Sequence, residues 1–178
     1  MKTRIILVAA FLFASMFVSA QKFAYVDTQY ILENIPDYQT AQNTLDELSM
    51  EWQKELEIKF TEIDKLYKNY QTESYLLSED MKTKRQNEII AKEKEAKDLQ
   101  KKYFGTEGDL YKKRQELVKP IQEKVYNAIE DLAEEGSFAV IFDRAGNTTL
   151  IYASEKYDKS DEVLAKLGYK AGGLNTNE

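Results

Sequence analysis

Residues 37–80, DYQTAQNTLDELSMEWQKELEIKFTEIDKLYKNYQTESYLLSED, decide the architecture. Apolar side chains recur at Ala41, Leu45, Leu48, Trp52, Leu56, Phe60, Ile63, Tyr67 and Tyr70. Steps of three and four trace one face of an α-helix. They form mostly a heptad seam, with one eleven-residue stretch between Trp52 and Ile63 that relaxes a left-handed supercoil locally. No Gly or Pro interrupts residues 37–104. A helix of about 38 residues is about 57 Å long, too long for a chain of this size to bury in a globule. It must project into solvent or pair with a second helix.

The charges identify the second helix. Residues 37–80 carry 11 acidic and 4 basic side chains, whereas residues 82–124 carry 13 basic and 8 acidic. Two antiparallel helices of opposite sign attract along their length, as the flanks of a coiled coil do. A helix face that is merely solvated explains the abundance of charge but not its segregation by sign. The reversal is expected at Tyr75-Leu76-Leu77-Ser78-Glu79-Asp80, with Ser78 or Asp80 capping the return helix. That helix shows Met81, Ile89, Ile90, Ala96, Leu99 and Tyr103, and then Leu110, Leu117, Ile121, Val125, Ala128 and Leu132. Large apolar groups are sparse in its first half. Gly105 and Gly108, each costing about 1 kcal/mol inside a helix, and Pro120, which predicts a bend, make the arm jointed rather than stiff.

Shorter elements flank the arm. Phe23-Ala24-Tyr25-Val26 is a candidate strand ended by Asp27. Thr28 is placed to cap a brief helix through Tyr30, Ile31 and Leu32, and Pro36 with Asp37 suits the first turn of the long helix. Gly136 is expected to close the return helix in the left-handed conformation. Phe138–Asp143 and Thr148–Ala153, around Arg144-Ala145-Gly146-Asn147, predict a β-hairpin. Ser160-Asp161-Glu162 caps a short helix from Val163 to Leu167 that Gly168 stops. The Gly- and Asn-rich tail, 171–178, is expected to be disordered. The fold class is thus α+β: a long antiparallel helical hairpin, 37–135, on a small β-rich body, 21–36 and 136–170.

Three short strands are marginal alone, and both strands of the expected hairpin are apolar almost throughout. The economical solution is a homo-oligomer in which several bodies share one core. Phe23, Tyr25, Val26, Val140, Ile141, Phe142, Leu150, Ile151 and Tyr152 are the candidate oligomerisation residues. Periodicity alone does not set the copy number.

The N-terminus reads as an export signal. Lys2 and Arg4 precede an apolar run from Ile5 to Val18, and Val18-Ser19-Ala20 offers the small residues of a cleavage site, so Gln21 is the expected first mature residue. The run spans about 21 Å, short of the roughly 30 Å hydrocarbon layer a membrane anchor needs. Cleavage leaves 23 basic against 31 acidic residues, a net charge of −8.

Composition narrows the chemistry. The 178 residues include no Cys and no His, which excludes disulfides, zinc and haem sites and Ser-His or Cys-His nucleophiles. There is no Gly-rich phosphate loop and no EF-hand spacing, and the carboxylate pairs Glu134/Glu135 and Asp161/Glu162 suit helix ends. No cofactor or metal is implied, and the protein reads as non-enzymatic. The basic stretch Lys82–Lys102 is the only nucleic-acid candidate, and an exported acidic chain argues against that partner. The same stretch, with Lys82, Lys84 and Arg85 nearest the arm tip, could meet anionic lipid head groups, an acidic partner segment or simply the acidic helix. Tyr67, Tyr70 and Tyr75, with Leu76 and Leu77, gather toward the tip. They could hold an unfolded chain loosely or form the seam of the arm.

Several stretches in order resemble the Skp (OmpH-like) periplasmic chaperones. They are the signal peptide, Phe23-Ala24-Tyr25-Val26-Asp27-Thr28 with Ile31-Leu32-Glu33-Asn34-Ile35-Pro36, the long charged middle, Leu117-Val118-Lys119-Pro120-Ile121-Gln122-Glu123-Lys124-Val125, and Ser160-Asp161-Glu162-Val163-Leu164-Ala165-Lys166-Leu167-Gly168. The resemblance covers essentially the whole mature chain. It implies a homotrimer whose strands complete a common β-barrel and whose three arms enclose a cavity. It also implies an ATP-independent periplasmic holdase for unfolded outer-membrane β-barrel proteins. The better-known members are basic, and their positive arms are associated with lipopolysaccharide. This chain is acidic, so no lipopolysaccharide site is carried over, and any contact with membrane or lipopolysaccharide head groups falls to Lys82–Lys102. The rival expectation is a structural coiled-coil envelope adaptor, with a stiff arm that binds one defined folded partner.

Overall fold

Strand β1 (Lys22–Val26) leads through Asp27 into α1 (Thr28–Glu33), and Pro36 opens α2, which runs 38 residues to Glu73. The computed structural model describes residues 21–146 and 150–170. The expected signal segment and its cleavage site, the turn and strand positions 147–149 and the expected disordered tail lie outside the described residues. A 3-10 turn, Ser74–Leu76, reverses the chain, and Ser78 caps α3 (Glu79–Phe104) by accepting the Met81 N–H at 3.4 Å. The return limb then breaks twice, giving α4 (Asp109–Leu117) and α5 (Lys119–Gly136). Gly105 and Gly108 bound the first break. The second falls at Val118, with Pro120 in the first turn of the helix that follows. Strand β2 (Phe138–Asp143), a short 3-10 turn (Glu155–Tyr157) and α6 (Ser160–Lys166) complete the chain.

β1 and β2 pair in parallel, Phe23 opposite Val140 and Val26 opposite Asp143. Parallel neighbours require a long crossover. Here the whole helical arm supplies it. Among the described residues the hairpin expected around residues 144–147 is not formed: Leu150–Ala153 lies in no strand. The chain is turned away after β2 by bonds to the other end of the body. Arg144 donates its N–H to the Val26 carbonyl at 2.7 Å, and Asp143 accepts the Thr28 hydroxyl at 2.8 Å, the Thr28 N–H at 3.2 Å and the Ala145 N–H at 3.0 Å. The far edge of β1 is partly covered, since Lys159 donates its N–H to the Tyr25 carbonyl at 2.9 Å.

Three helix ends differ from expectation. α6 already starts at Ser160, behind Lys159 as its N-cap, because the Ser160 hydroxyl is engaged by Asp158 and the Asp27 N–H. The other two caps sit one residue from the expected position. Asp27, not Thr28, caps α1 by accepting the Tyr30 N–H, because the Thr28 hydroxyl is committed to Asp143. At the end of α5 the left-handed residue is Ser137 (φ 52°), while Gly136 remains in the helix. A Cβ on Gly136 would stand 2.3 Å from the Phe138 ring, so the missing side chain admits that ring rather than a left-handed turn.

The main core joins the body to the base of the arm. It comprises Val26, Ile31, Ile35, Ala41, Leu45, Val118, Ile121, Val125, Ala128, Val163 and Leu164. A second, smaller cluster (Ile63, Ile89 and Ala96, with Leu66 and Tyr70 against it) closes the distal arm. No described helix is long and apolar enough to cross a membrane.

Candidate interaction surfaces

Strand alternation gives β1 and β2 two different faces. Ala24 and Val26 are buried, and Ile141 packs on the main core. The opposite face presents Phe23, Phe138 and Phe142 to a cleft of about 670 Å³, whose far wall is Leu150, Tyr152 and Tyr157 and whose rim carries Lys22, Lys156 and Lys159. Of the nine candidate oligomerisation residues, Tyr25 and Val26 are already buried within the protomer, although Tyr25 also lines the cleft. Ile141 and Leu150 are half-buried. Phe23, Val140, Phe142, Ile151 and Tyr152 stand exposed, Ile151 at 93% and Tyr152 at 84%. Phe138 and Tyr157 join this surface unforeseen. The alternation of Phe138, Val140 and Phe142 was the available signal for Phe138, whereas Tyr157 lies in an irregular stretch with no periodicity to place it.

At the arm tip Tyr75 and Leu76 are among the most exposed apolar side chains of the arm, with Tyr67 half-exposed and Leu77 partly covered. Tyr70 differs. Its ring packs on the Ile63–Ile89–Ala96 cluster, and its hydroxyl accepts a hydrogen bond from Gln86 Nε2 at 2.7 Å. Of the basic candidates, Lys82 is paired with Glu79 at 2.7 Å, Arg85 stands 3.7 Å from Glu88, and Lys84 is exposed.

Phe60, expected in the seam, lies beside it, 41% exposed. Three apolar positions four residues apart, Trp52, Leu56 and Phe60, each rotate about 40° past a full turn, so the third drifts off the contact line. Phe60 instead lines a cleft of about 410 Å³ with Leu56, Phe104, Gln53, Glu57 and Gln100. Met81 and Ile90, also expected in the return-helix pattern, are more than half exposed. Met50 and Ile58, outside the pattern, are exposed as well.

The segregated charges act diffusely rather than pair by pair. Between α2 and α3 the ion pairs are Lys59–Glu95 at 3.0 Å and Glu62–Lys92 at 3.8 Å, and the first runs against the overall sign of the two helices. Most others link residues three or four apart on one helix. Such partly exposed pairs contribute little each. The hydrogen bond from Lys59, its charge and then that of Lys92 hold the Glu95 carboxyl below its usual range, and Lys59 is raised by the same contact.

The surfaces described are broad, apolar and open. They suit adhesion to other chains and present no assembled set of reacting groups. Comparison with known proteins agrees with the architecture. The model of the family described as outer membrane protein (OmpH-like) matches residues 22–167. The crystal structure of a candidate outer membrane chaperone (OmpH-like) from Caulobacter crescentus CB15 superposes with a TM-score of 0.64 over 84% of this chain and 85% of that one. The sequences are 13% identical, so this likeness speaks to the fold. No curated protein sequence matches the chain.

Proposed function

The chain belongs to the OmpH-like outer membrane protein family, and from that premise we propose that it is an ATP-independent periplasmic holdase that keeps unfolded outer-membrane β-barrel proteins from aggregating. The supporting observation is the scatter of large apolar side chains exposed along the arm: Ile58, Tyr67, Tyr75, Leu76, Met81 and Ile90. Contacts spread over the distal arm are individually weak and together sufficient to retain an extended apolar chain. A single defined partner would instead require one concentrated patch with a buried centre. Release then needs no nucleotide, because folding or insertion of the client competes with these contacts.

On this reading the leader is cleaved after Ala20 and the mature protein works in the periplasm as a homotrimer. The trimer body comprises residues 21–36 and 136–170, and each protomer contributes one tentacle, 37–135. The exposed strand face and Leu150–Tyr152 are the joining surfaces. Tyr67, Tyr75, Leu76 and Leu77 are the contacts offered near the tip, and Tyr70 contributes only what the seam leaves uncovered. Weak contact with membrane or lipopolysaccharide head groups is confined to the stretch that includes Lys82, Lys84 and Arg85.

The test is dilution of a urea-unfolded outer-membrane barrel into the purified mature protein at one trimer per client. Light scattering is expected to stay near the baseline. Aggregation equal to that without the protein would remove the holdase reading. Crosslinking in the native envelope to one stoichiometric folded partner, rather than to many unfolded precursors, would instead favour an adaptor.

A further inference from the structure

Trp52, the single tryptophan of the chain, lies flat on Tyr103, with ring centroids 4.6 Å apart and planes 6° apart. Phe104 meets both rings edge-on at 6.3 Å, and the Tyr103 hydroxyl donates to Glu55 at 2.8 Å. This cluster stands where the return limb breaks. Gly105 caps α3, and Gly108 precedes α4. A Cβ would fall 2.4 Å from the Lys101 carbonyl oxygen at Gly105 and 2.7 Å from that of Tyr103 at Gly108, so the loop can be this tight only with glycine at both ends. Lys102 reaches over the loop to Asp109 at 3.9 Å. α2 runs past this point without interruption.

The seam differs on the two sides of the break. Below it, α5 and the start of α2 build the core that continues into the body, and Leu110 and Leu117 of α4 pack against it partly buried. Above it, the buried apolar residues are Leu56, Ile63, Ile89 and Ala96, with Leu66 and Tyr70 against the last three and half-exposed ion pairs alongside. The two clusters share no residue, and buried Leu56 belongs to neither. Few buried contacts beside a richly packed base are the conditions under which part of a fold opens independently. A stacked ring pair with an edge-on third ring resists separation beyond its buried area alone.

We infer that the arm consists of two units: the distal one, α2 beyond Trp52 together with α3, parts along its own seam as one cooperative unit, and the Trp52–Tyr103–Phe104 cluster is the stop that keeps the opening from reaching the body. This goes beyond the chaperone reading and does not depend on it.

Hydrogen exchange of the full mature protein, followed by mass spectrometry, tests it. Amides of 57–73 and 79–101 are expected to share one opening, at least about tenfold faster than those of α4 and α5, with a step between 101 and 109. Raising the salt to 1 M shortens the screening length from about 10 Å to about 3 Å and should speed the distal class selectively. Trp52→Leu should carry the fast class into α4 by about tenfold while leaving α5 protected. Should that variant fail to fold, Phe104→Leu removes the edge-on ring alone and should shift α4 in the same direction. A rate rising smoothly toward the tip means fraying, and one rate from tip to body means a single unit. Either result overturns the division. α4 protection unchanged in both variants overturns the role of the rings.

Discussion

Ser160 is 97% removed from solvent, and its hydroxyl works in both directions. It donates to Asp158 Oδ1 at 2.6 Å and accepts the backbone N–H of Asp27 at 2.9 Å, tying the end of the first strand to the last helix. Ser160→Ala leaves that N–H without its partner in a site too enclosed for easy hydration. The expected loss is about 1–3 kcal/mol, read as a lower urea midpoint at fixed protein concentration. A midpoint unchanged within error would mean that the connection is dispensable. This link was not legible in the sequence, where Ser160 reads simply as a helix start. The reason is that its partners lie at opposite ends of the chain. The same limit explains the caps displaced by one residue. Helix ends have local signatures, and those place the end to within a residue. Whether Thr28 caps α1 or binds Asp143, and whether Gly136 turns the chain or makes room for Phe138, depends on side chains that arrive from elsewhere.

Pairing of α2 with α3 was legible because both the 3.6-residue period and the segregation of charge are local properties of long segments. The reversal near Ser78 and the break at Gly105 followed from the same signals. The hairpin was not. Two apolar runs around a turn resemble a hairpin wherever they occur, but β2 takes its ladder from β1, at the far end of a crossover that is the whole arm. Strand order is a non-local choice that the pattern of one run does not encode. Among the contacts joining α2 to α3, the Lys59–Glu95 pair makes a prediction of definite sign. The Glu95 carboxyl is held below its usual value in the folded arm, so its contribution is present above the ordinary carboxylate range, near 4.5, and fades as pH falls through the lowered folded value. Acidification from neutral pH to below 4 should therefore lower the thermal midpoint of the arm. Glu95→Gln should show a lower midpoint at pH 7 and a shallower decline with acid, both measurable by far-UV circular dichroism. Since both side chains are partly exposed, the effect is modest, and high salt should shrink it. Identical pH profiles for the two proteins would assign the acid sensitivity to other carboxylates.

The single chain leaves an apolar surface uncovered. Phe23, Val140, Phe142, Ile151, Tyr152 and Tyr157 are all more than a third exposed, and among the described residues β2 pairs only with β1. An apolar face beside an unpaired strand edge is a template for pairing with another chain, and a soluble protein must cover it. The arm does not cover it, because its base is occupied by the main core. On the homotrimer proposed above, copies of the same body would do so: the strand edge and apolar face of one protomer would meet the Leu150–Tyr152 segment of the next, a head-to-tail contact that closes into a ring when its rotation permits. Three copies are the number the family resemblance implies. Native mass spectrometry of the mature protein is accordingly expected to show a trimer. Asp at both Ile151 and Tyr152 should shift it to monomer at micromolar concentration, because neither side chain is buried in the protomer and the charges enter only the joint. Tyr75→Asp, at the opposite end of the arm, should leave the trimer intact. The dissociated variant should keep its helical content, since the α2–α3 seam is formed within one chain, yet it should fail to suppress client aggregation because no cavity remains. A mature protein that is monomeric without substitution, or a doubly substituted one that stays trimeric, would place the joint elsewhere on the molecule.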